Sequence, residues 1–209
     1  MVKALIYDYD GVISDSVDVK TEAFAELYRP YGKEVEDYVV LYHIANGGIS
    51  RFEKFKYFHN TFLGMDISQN EVTKLAGMFS DLVLKKVIES EYISGAYDFI
   101  KRNCENYSQF ICTGTPDVEI KIILKERYIN HYFTEIYGSP STKEEIISTI
   151  LAEHDLKSDE VVFFGDAKTD LNAALYHKIR FIGINSDQFG SNVEQYQSFM
   201  DLDPKVLID

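Results

Sequence analysis

ALIYDYDG, residues 4–11, decides how the rest of the chain is read. Four apolar or aromatic residues run into Asp8, a second carboxylate follows at Asp10, and Gly11 stops the run. A short apolar segment closed by glycine predicts a buried strand. Side chains at i and i+2 of an extended chain point the same way, so Asp8 and Asp10 are expected to face one spot. Like charges that close raise each other's pKa, and a compensating positive group is expected elsewhere in the chain.

Working outward, the rhythm differs on the two sides of residue 90. From Ser16 to about residue 88 almost everything is helical in pattern. Val19, Ala23, Phe24 and Leu27 share one face, Ser50 is placed as an N-cap, and Ser68 with Glu71 has capping-box spacing. After Gly95 the pattern alternates. SQFICTGT, FTEIYG, EVVFFGD and IRFIGIN read as strands, each separated from the next by a helical segment. Such alternation predicts right-handed crossovers and a parallel sheet covered on both faces. The expected fold is therefore α/β, a Rossmann-like parallel sheet core with helices on both faces, plus an inserted all-helical block. Residues 1–14 and 89–209 would form the core and residues 15–88 the insertion.

The chain has 209 residues, 45% of them hydrophobic, with 15 Tyr and 14 Phe, enough to pack a core of this size. Its formal net charge is -13. A field of that sign excludes nucleic acid or an anionic membrane as a partner attracted by overall charge. An anionic small molecule remains compatible if a local cluster or a metal meets it. No apolar run reaches the 18 or so residues of a membrane-spanning helix. Cys104 and Cys112 form no disulfide framework or zinc pattern, which fits a cytosolic protein.

In open parallel sheets, ligands sit at the carboxyl ends of the strands. Three expected strands end in chemically useful residues: Asp8 and Asp10; Thr113 and Gly114; and Asp166, with Asp170 one helical turn later. Lys143 opens another helix. Singly, each has an ordinary structural explanation as a turn, a cap or a solvated lysine. Together they all fall at strand ends or helix starts. Converging carboxylates require a cation, and oxygen-only ligation favours Mg²⁺. The five histidines lie away from these tips and are read as structural. A carboxylate beside Mg²⁺ suits attack on phosphorus, giving an aspartyl-phosphate. A second acid nearby can protonate the leaving alkoxide and then activate water.

DYDGVISDS, ICTGT, PSTK and GDAKTD resemble, in this order, the four signatures of the haloacid dehalogenase superfamily. They look most like its phosphatase and phosphoglucomutase branch with a helical cap after the first strand. The resemblance implies Asp8 as nucleophile and Mg²⁺ ligand, and Asp10 as general acid/base whose carbonyl also binds the metal. It implies Thr113, Gly114 and Lys143 at the phosphoryl group, and Asp166 and Asp170 at the metal. Dehalogenating members lack an acid at the position of Asp10, so its presence favours phosphoryl transfer. NGGISRFEKF resembles a cap loop that dips into the active site, which makes Arg51 a candidate substrate ligand. Lys20, a further candidate, stands where sugar-phosphate mutase relatives carry histidine, and Lys54 and Lys56 add charge near the cap entrance. The expected function is a Mg²⁺-dependent phosphatase acting on a small phosphorylated metabolite. The alternatives are a sugar-phosphate phosphomutase and a catalytically silent binding module. A cytoplasmic monomer is expected, with a dimer as the alternative.

Overall fold

A computed structural model of the chain describes residues 1–186, 188–203, 206 and 207; residues 187, 204, 205, 208 and 209 of the expected core lie outside these. The described residues build a six-stranded sheet of order β3-β2-β1-β4-β5-β6, with every pair parallel. Strand β1 (Ala4–Tyr7) lies in its interior, between β2 (Ser108–Pro116) and β4 (Val161–Gly165). Strands β3 (Glu135–Ser139) and β5 (Arg180–Ile184) flank these, and β6 (Gln195–Tyr196) closes one edge. Its two residues are too few to leave a period in the sequence.

All four residues of β1 are buried, and they alternate between two cores. Leu5 and Tyr7 pack into one apolar cluster, Ala4 and Ile6 into the other. Helices on both faces make this possible, so β1 reads as continuously apolar. Tyr7 is tolerated there because its hydroxyl donates to Gln109 Oε1 at 2.6 Å, while its ring stacks on Phe164 with centroids 5.2 Å apart.

Four helices intervene between β1 and the rest of the sheet: α1 (Val17–Tyr28), α2 (Lys33–Ala45), α3 (Arg51–Phe62) and α4 (Gln69–Glu89). The Ser50 cap and the Ser68–Glu71 capping box both form as the spacing predicts. These helices close on an aromatic centre in which the Phe24 ring lies 4.4 Å from Phe79 and 5.6 Å from Phe55 and Phe58. The chain enters and leaves the helical block as a paired ribbon. Asp15 N donates to Glu91 O at 2.9 Å and Ile93 N to Ile13 O at 3.0 Å. The remaining crossovers are α5 (Ala96–Asn103), α6 (Asp117–Glu126), α7 (Lys143–Glu153) and α8 (Lys168–His177).

Candidate active site

Strand register builds the site. Tyr7, the last residue of β1, pairs with Ile111 on one side and Phe164 on the other, so β1 and β4 end almost level while β2 runs on past Ile111 to Pro116. Asp8, Thr113 and Asp166 therefore emerge at one edge. The order of strands reverses direction at β1, which is the position where open α/β sheets leave a crevice. Gly11 adopts φ +78, and a Cβ there would lie 2.3 Å from Asp166 Oδ2, so the turn after β1 must be glycine for the acids to approach.

Asp8, Asp166 and Asp170 each offer a carboxylate oxygen, and the three oxygens lie within 4.8 Å of one another. Asp8 and Asp170 are buried. Lys143, buried at the first position of α7, is ion-paired with both: its Nζ donates to Asp8 Oδ2 at 2.6 Å and to Asp170 Oδ1. Asp170 Oδ2 also accepts from Ala167 N at 3.0 Å, at the start of α8. Burial alone would lower the Lys143 pKa, but Asp170 and Asp8 outweigh it and hold the ammonium above its ordinary range. Burial, then the charges of Asp170 and Asp8, push Asp166 well above the usual carboxylate range. Burial, aided by Asp8 and opposed by Lys143, pushes Asp170 up to about 6. One lysine does not balance three acids, and their donors are all oxygen, a set that fits a small divalent cation such as Mg²⁺.

Asp10 stands apart from that trio. Its carboxylate is ion-paired with Lys20 and accepts from Ser16 Oγ at 2.6 Å and Thr115 Oγ1 at 2.9 Å. Burial would raise its pKa; Lys20 and these hydrogen bonds prevail and hold it below the usual value. Lys20, Ser16 and Thr115 thus form a cradle around Asp10. Of these only Lys20 stands out in the sequence, because the neutral hydroxyls carry no motif signal.

The helical block covers the strand ends and leaves a cavity of about 130 Å³. Asp8, Asp10, Thr113, Gly114 and Asp166 line its floor, and Lys20, His43, Arg51 and Lys54 are among its walls. The loop before α3 reaches the floor. Gly47 O accepts from Thr169 Oγ1 at 2.8 Å, and a Cβ on Gly114 would lie 2.5 Å from Gly48 O. Arg51 lines the cavity, yet its guanidinium makes a bidentate pair with Glu119 of α6 at 2.6 and 3.0 Å and donates to Ser80 Oγ at 2.8 Å. Phe79 lies beneath it, 4.4 Å from the ring centroid. The pair ties α3 and α4 to the core rather than leaving Arg51 open to a ligand. Two further expectations change. His43, read as remote, lines the cavity, and Lys54 is 2% exposed instead of solvated. Lys56 does remain at the surface, paired with Glu53 at 2.8 Å.

Removing one partner of a buried ion pair costs about 3–5 kcal/mol. Glu119→Gln is therefore expected to lower Tm by roughly 6–20 °C for a chain of this size. A thermal melt unchanged within a degree would show that Arg51 and Glu119 are not paired in solution.

A family model described as haloacid dehalogenase-like hydrolase matches residues 5–184, spanning the four motifs and the whole helical block. The chain belongs to the haloacid dehalogenase-like hydrolases. It is an enzyme, and the phosphoric monoester hydrolase expected from its motifs is the kind its curated relatives represent. A phosphoglycolate phosphatase of Vibrio parahaemolyticus is 23% identical over 189 residues, 83% of this chain and 79% of that protein. A second, from Aliivibrio fischeri, is 22% identical over 187 residues, with the same two shares of 83% and 79%. Among solved structures, a β-phosphoglucomutase of Clostridium difficile superposes with a TM-score of 0.80 at 17% identity, covering 98% of this chain and 95% of its own. A haloacid dehalogenase-like hydrolase of Streptococcus pneumoniae gives 0.66 at 20% identity, covering 88% and 84%. At such identities the structural likeness establishes the haloacid dehalogenase fold, a Rossmann-like α/β sheet. Among the described residues, no helix is long and apolar enough to cross a membrane.

Proposed function

We propose that this hydrolase is a Mg²⁺-dependent phosphatase that cleaves a small phosphorylated metabolite through a phosphorylated Asp8. The observation that carries the reading is the convergence of Asp8, Asp166 and Asp170 around the Lys143 ammonium, at the level strand ends of β1 and β4. Mg²⁺ would be held by these three carboxylates and the Asp10 carbonyl. When bound, it neutralises phosphate charge and fixes the phosphoryl group for in-line attack.

The chain's own groups do the rest. An Asp8 oxygen forms a bond to phosphorus while the bond from phosphorus to the leaving oxygen breaks. The leaving oxygen takes its proton from the Lys20–Asp10 pair, whose Nζ is already shared between Asp10 and Thr115. A water then attacks phosphorus, gives its proton to Asp10, and frees Asp8 and inorganic phosphate. Thr113 Oγ1, the Gly114 N–H and Lys143 Nζ hold the phosphoryl oxygens throughout. Residues 15–88 act as a cap on a core of residues 1–14 and 89–209, closing to exclude bulk water. The protein works as a cytoplasmic monomer without nucleic acid or membrane partners. A phosphomutase would share the first half of this chemistry and pass the phosphoryl group to a second hydroxyl of the substrate.

The test is phosphate release from a panel of small phosphate esters, with Mg²⁺ and with chelator. Turnover is expected only with the metal, with free phosphate and no isomerised product. Mg²⁺ should also raise Tm, by about 2.7 kcal/mol of added stability at a hundredfold excess over Kd. Asp166→Asn should need at least about 100-fold more Mg²⁺ for half-maximal rate, more than the 10–100-fold typical of groups behind a ligand. Full turnover in chelator would reject the metal's role.

A further inference from the structure

The cavity carries more positive charge than the proposed reaction uses. Lys20, Arg51 and Lys54 all line it. The first is paired with Asp10 and the second with Glu119. Among the described residues, Lys54 has no carboxylate partner. Its Nζ is hydrogen-bonded to His43 Nδ1 at 2.7 Å and lies 5.6 Å from the Phe24 centroid. Lys54 is 2% exposed and His43 7%. An ammonium buried this far without a counter-charge is costly.

His43 repeats the pattern. When Lys54 is an ammonium it can only donate, so Nδ1 accepts, and the neutral imidazole then carries its proton on Nε2. That nitrogen is buried and has no hydrogen-bond partner. Burial, then the Lys54 charge, push His43 down to about 2, so the ring is neutral. Burial, then the Lys20 charge, push Lys54 down to about 7, so an anion bound beside it favours the charged form. The cavity wall thus holds Lys54 Nζ, whose protein hydrogen-bond partner is the neutral His43 Nδ1, and beside it an Nε2–H donor with no partner; neither has a carboxylate partner among the described residues.

We propose that Lys54 is a specificity residue that binds a second anionic group of the substrate, a carboxylate or a further phosphate carried on the leaving-group side, with His43 Nε2 as the accompanying donor. The proposal rests on the reading of the floor as a phosphatase site and names the class of ester it takes. Space agrees. The cavity of about 130 Å³ accommodates a phosphoryl group and a short chain ending in one more anion. A site that leaves an ammonium unpaired when the anion is missing discriminates far more strongly than an apolar pocket does.

Three esters of similar size separate the possibilities: phosphoglycolate with a carboxylate, 1,2-ethanediol bisphosphate with a second phosphate, and 2-hydroxyethyl phosphate with a neutral tail. The unaltered enzyme should favour at least one anionic ester over the neutral one by 100-fold or more in kcat/KM. Which anion is preferred identifies the source, and either supports the proposal. In Lys54→Met that preference should fall at least tenfold, chiefly through KM, and Lys54→Gln should fall between the two. Calorimetric binding of the esters to the metal-free protein should show the same loss of preference. The Tm of ligand-free Lys54→Met should rise, because the unpaired ammonium is gone, so its binding defect cannot be one of folding. The proposal is overturned if the enzyme prefers the neutral ester, if the variant weakens all three equally, or if its Tm falls. Absence of phosphate release from every ester would instead reject the phosphatase reading, and the calorimetric preference would still decide the role of Lys54.

Discussion

Asp8→Asn is expected to lower kcat by at least ~10⁴-fold while leaving a folded protein, because the amide removes the nucleophile without changing its volume. Both halves of that outcome follow from the surroundings of Asp8. Its Oδ2 lies 2.6 Å from Lys143 Nζ, so the carboxylate is oriented before substrate arrives. The same carboxylate is one of three acids sharing a pocket of oxygens 4.8 Å across. Its neutralisation loses an ion pair but relieves repulsion, and Lys143 keeps Asp170 as a partner. The two effects oppose each other, so circular dichroism and the melt should stay close to those of the unaltered chain. Asp8→Asn with turnover within tenfold of the parent would remove Asp8 from the chemistry.

Lys143→Met should fail in a different way. It leaves Asp8 and Asp170 buried beside Asp166 with no cation among them. The expected cost is about 3–5 kcal/mol in the metal-free protein, the penalty for stripping one partner from a buried ionic group. Added Mg²⁺ should recover much of it by supplying the missing charge. Activity should not recover. Loss of a preorganised donor to the transferring phosphoryl group lowers kcat by roughly 10²–10³-fold. Melts of the variant with and without Mg²⁺, paired with rates, separate the two roles. A variant as stable as the parent without metal would mean that Lys143 is not what balances the acids.

The sheet and the floor of the site were legible because their signals are local. ALIYDYDG is a buried strand by its run of apolar residues, and the alternation after Gly95 implies parallel pairing. The catalytic candidates fall near the carboxyl ends of strands or at the start of the following helix, where the fold class already says a ligand sits. The walls were not legible for the converse reason. His43 and Lys54 lie on separate helices, and only the packing of α2 against α3 brings Nδ1 and Nζ to 2.7 Å. A lysine on a helix has no local sign of burial; its stem is apolar wherever it points. Arg51 shows the same limit. Its motif neighbours mark it as a ligand candidate, but the residue that engages it, Glu119, lies 68 positions away on α6 and looks like any acid in a first helical turn. Ser16 and Thr115 complete the cradle of Asp10 through hydroxyls that occur in every loop.

All of this depends on whether the phosphoryl group ever becomes bonded to the carboxylate after β1. Rapid quenching of enzyme, Mg²⁺ and an accepted ester, followed by borohydride reduction and mass spectrometry of the peptides, reads that directly. A reduced acyl-phosphate at Asp8 alone, formed only with the metal and absent from Asp8→Asn, is the expected finding. Steady turnover with no modification at Asp8, or with the modification on another residue, would contradict it.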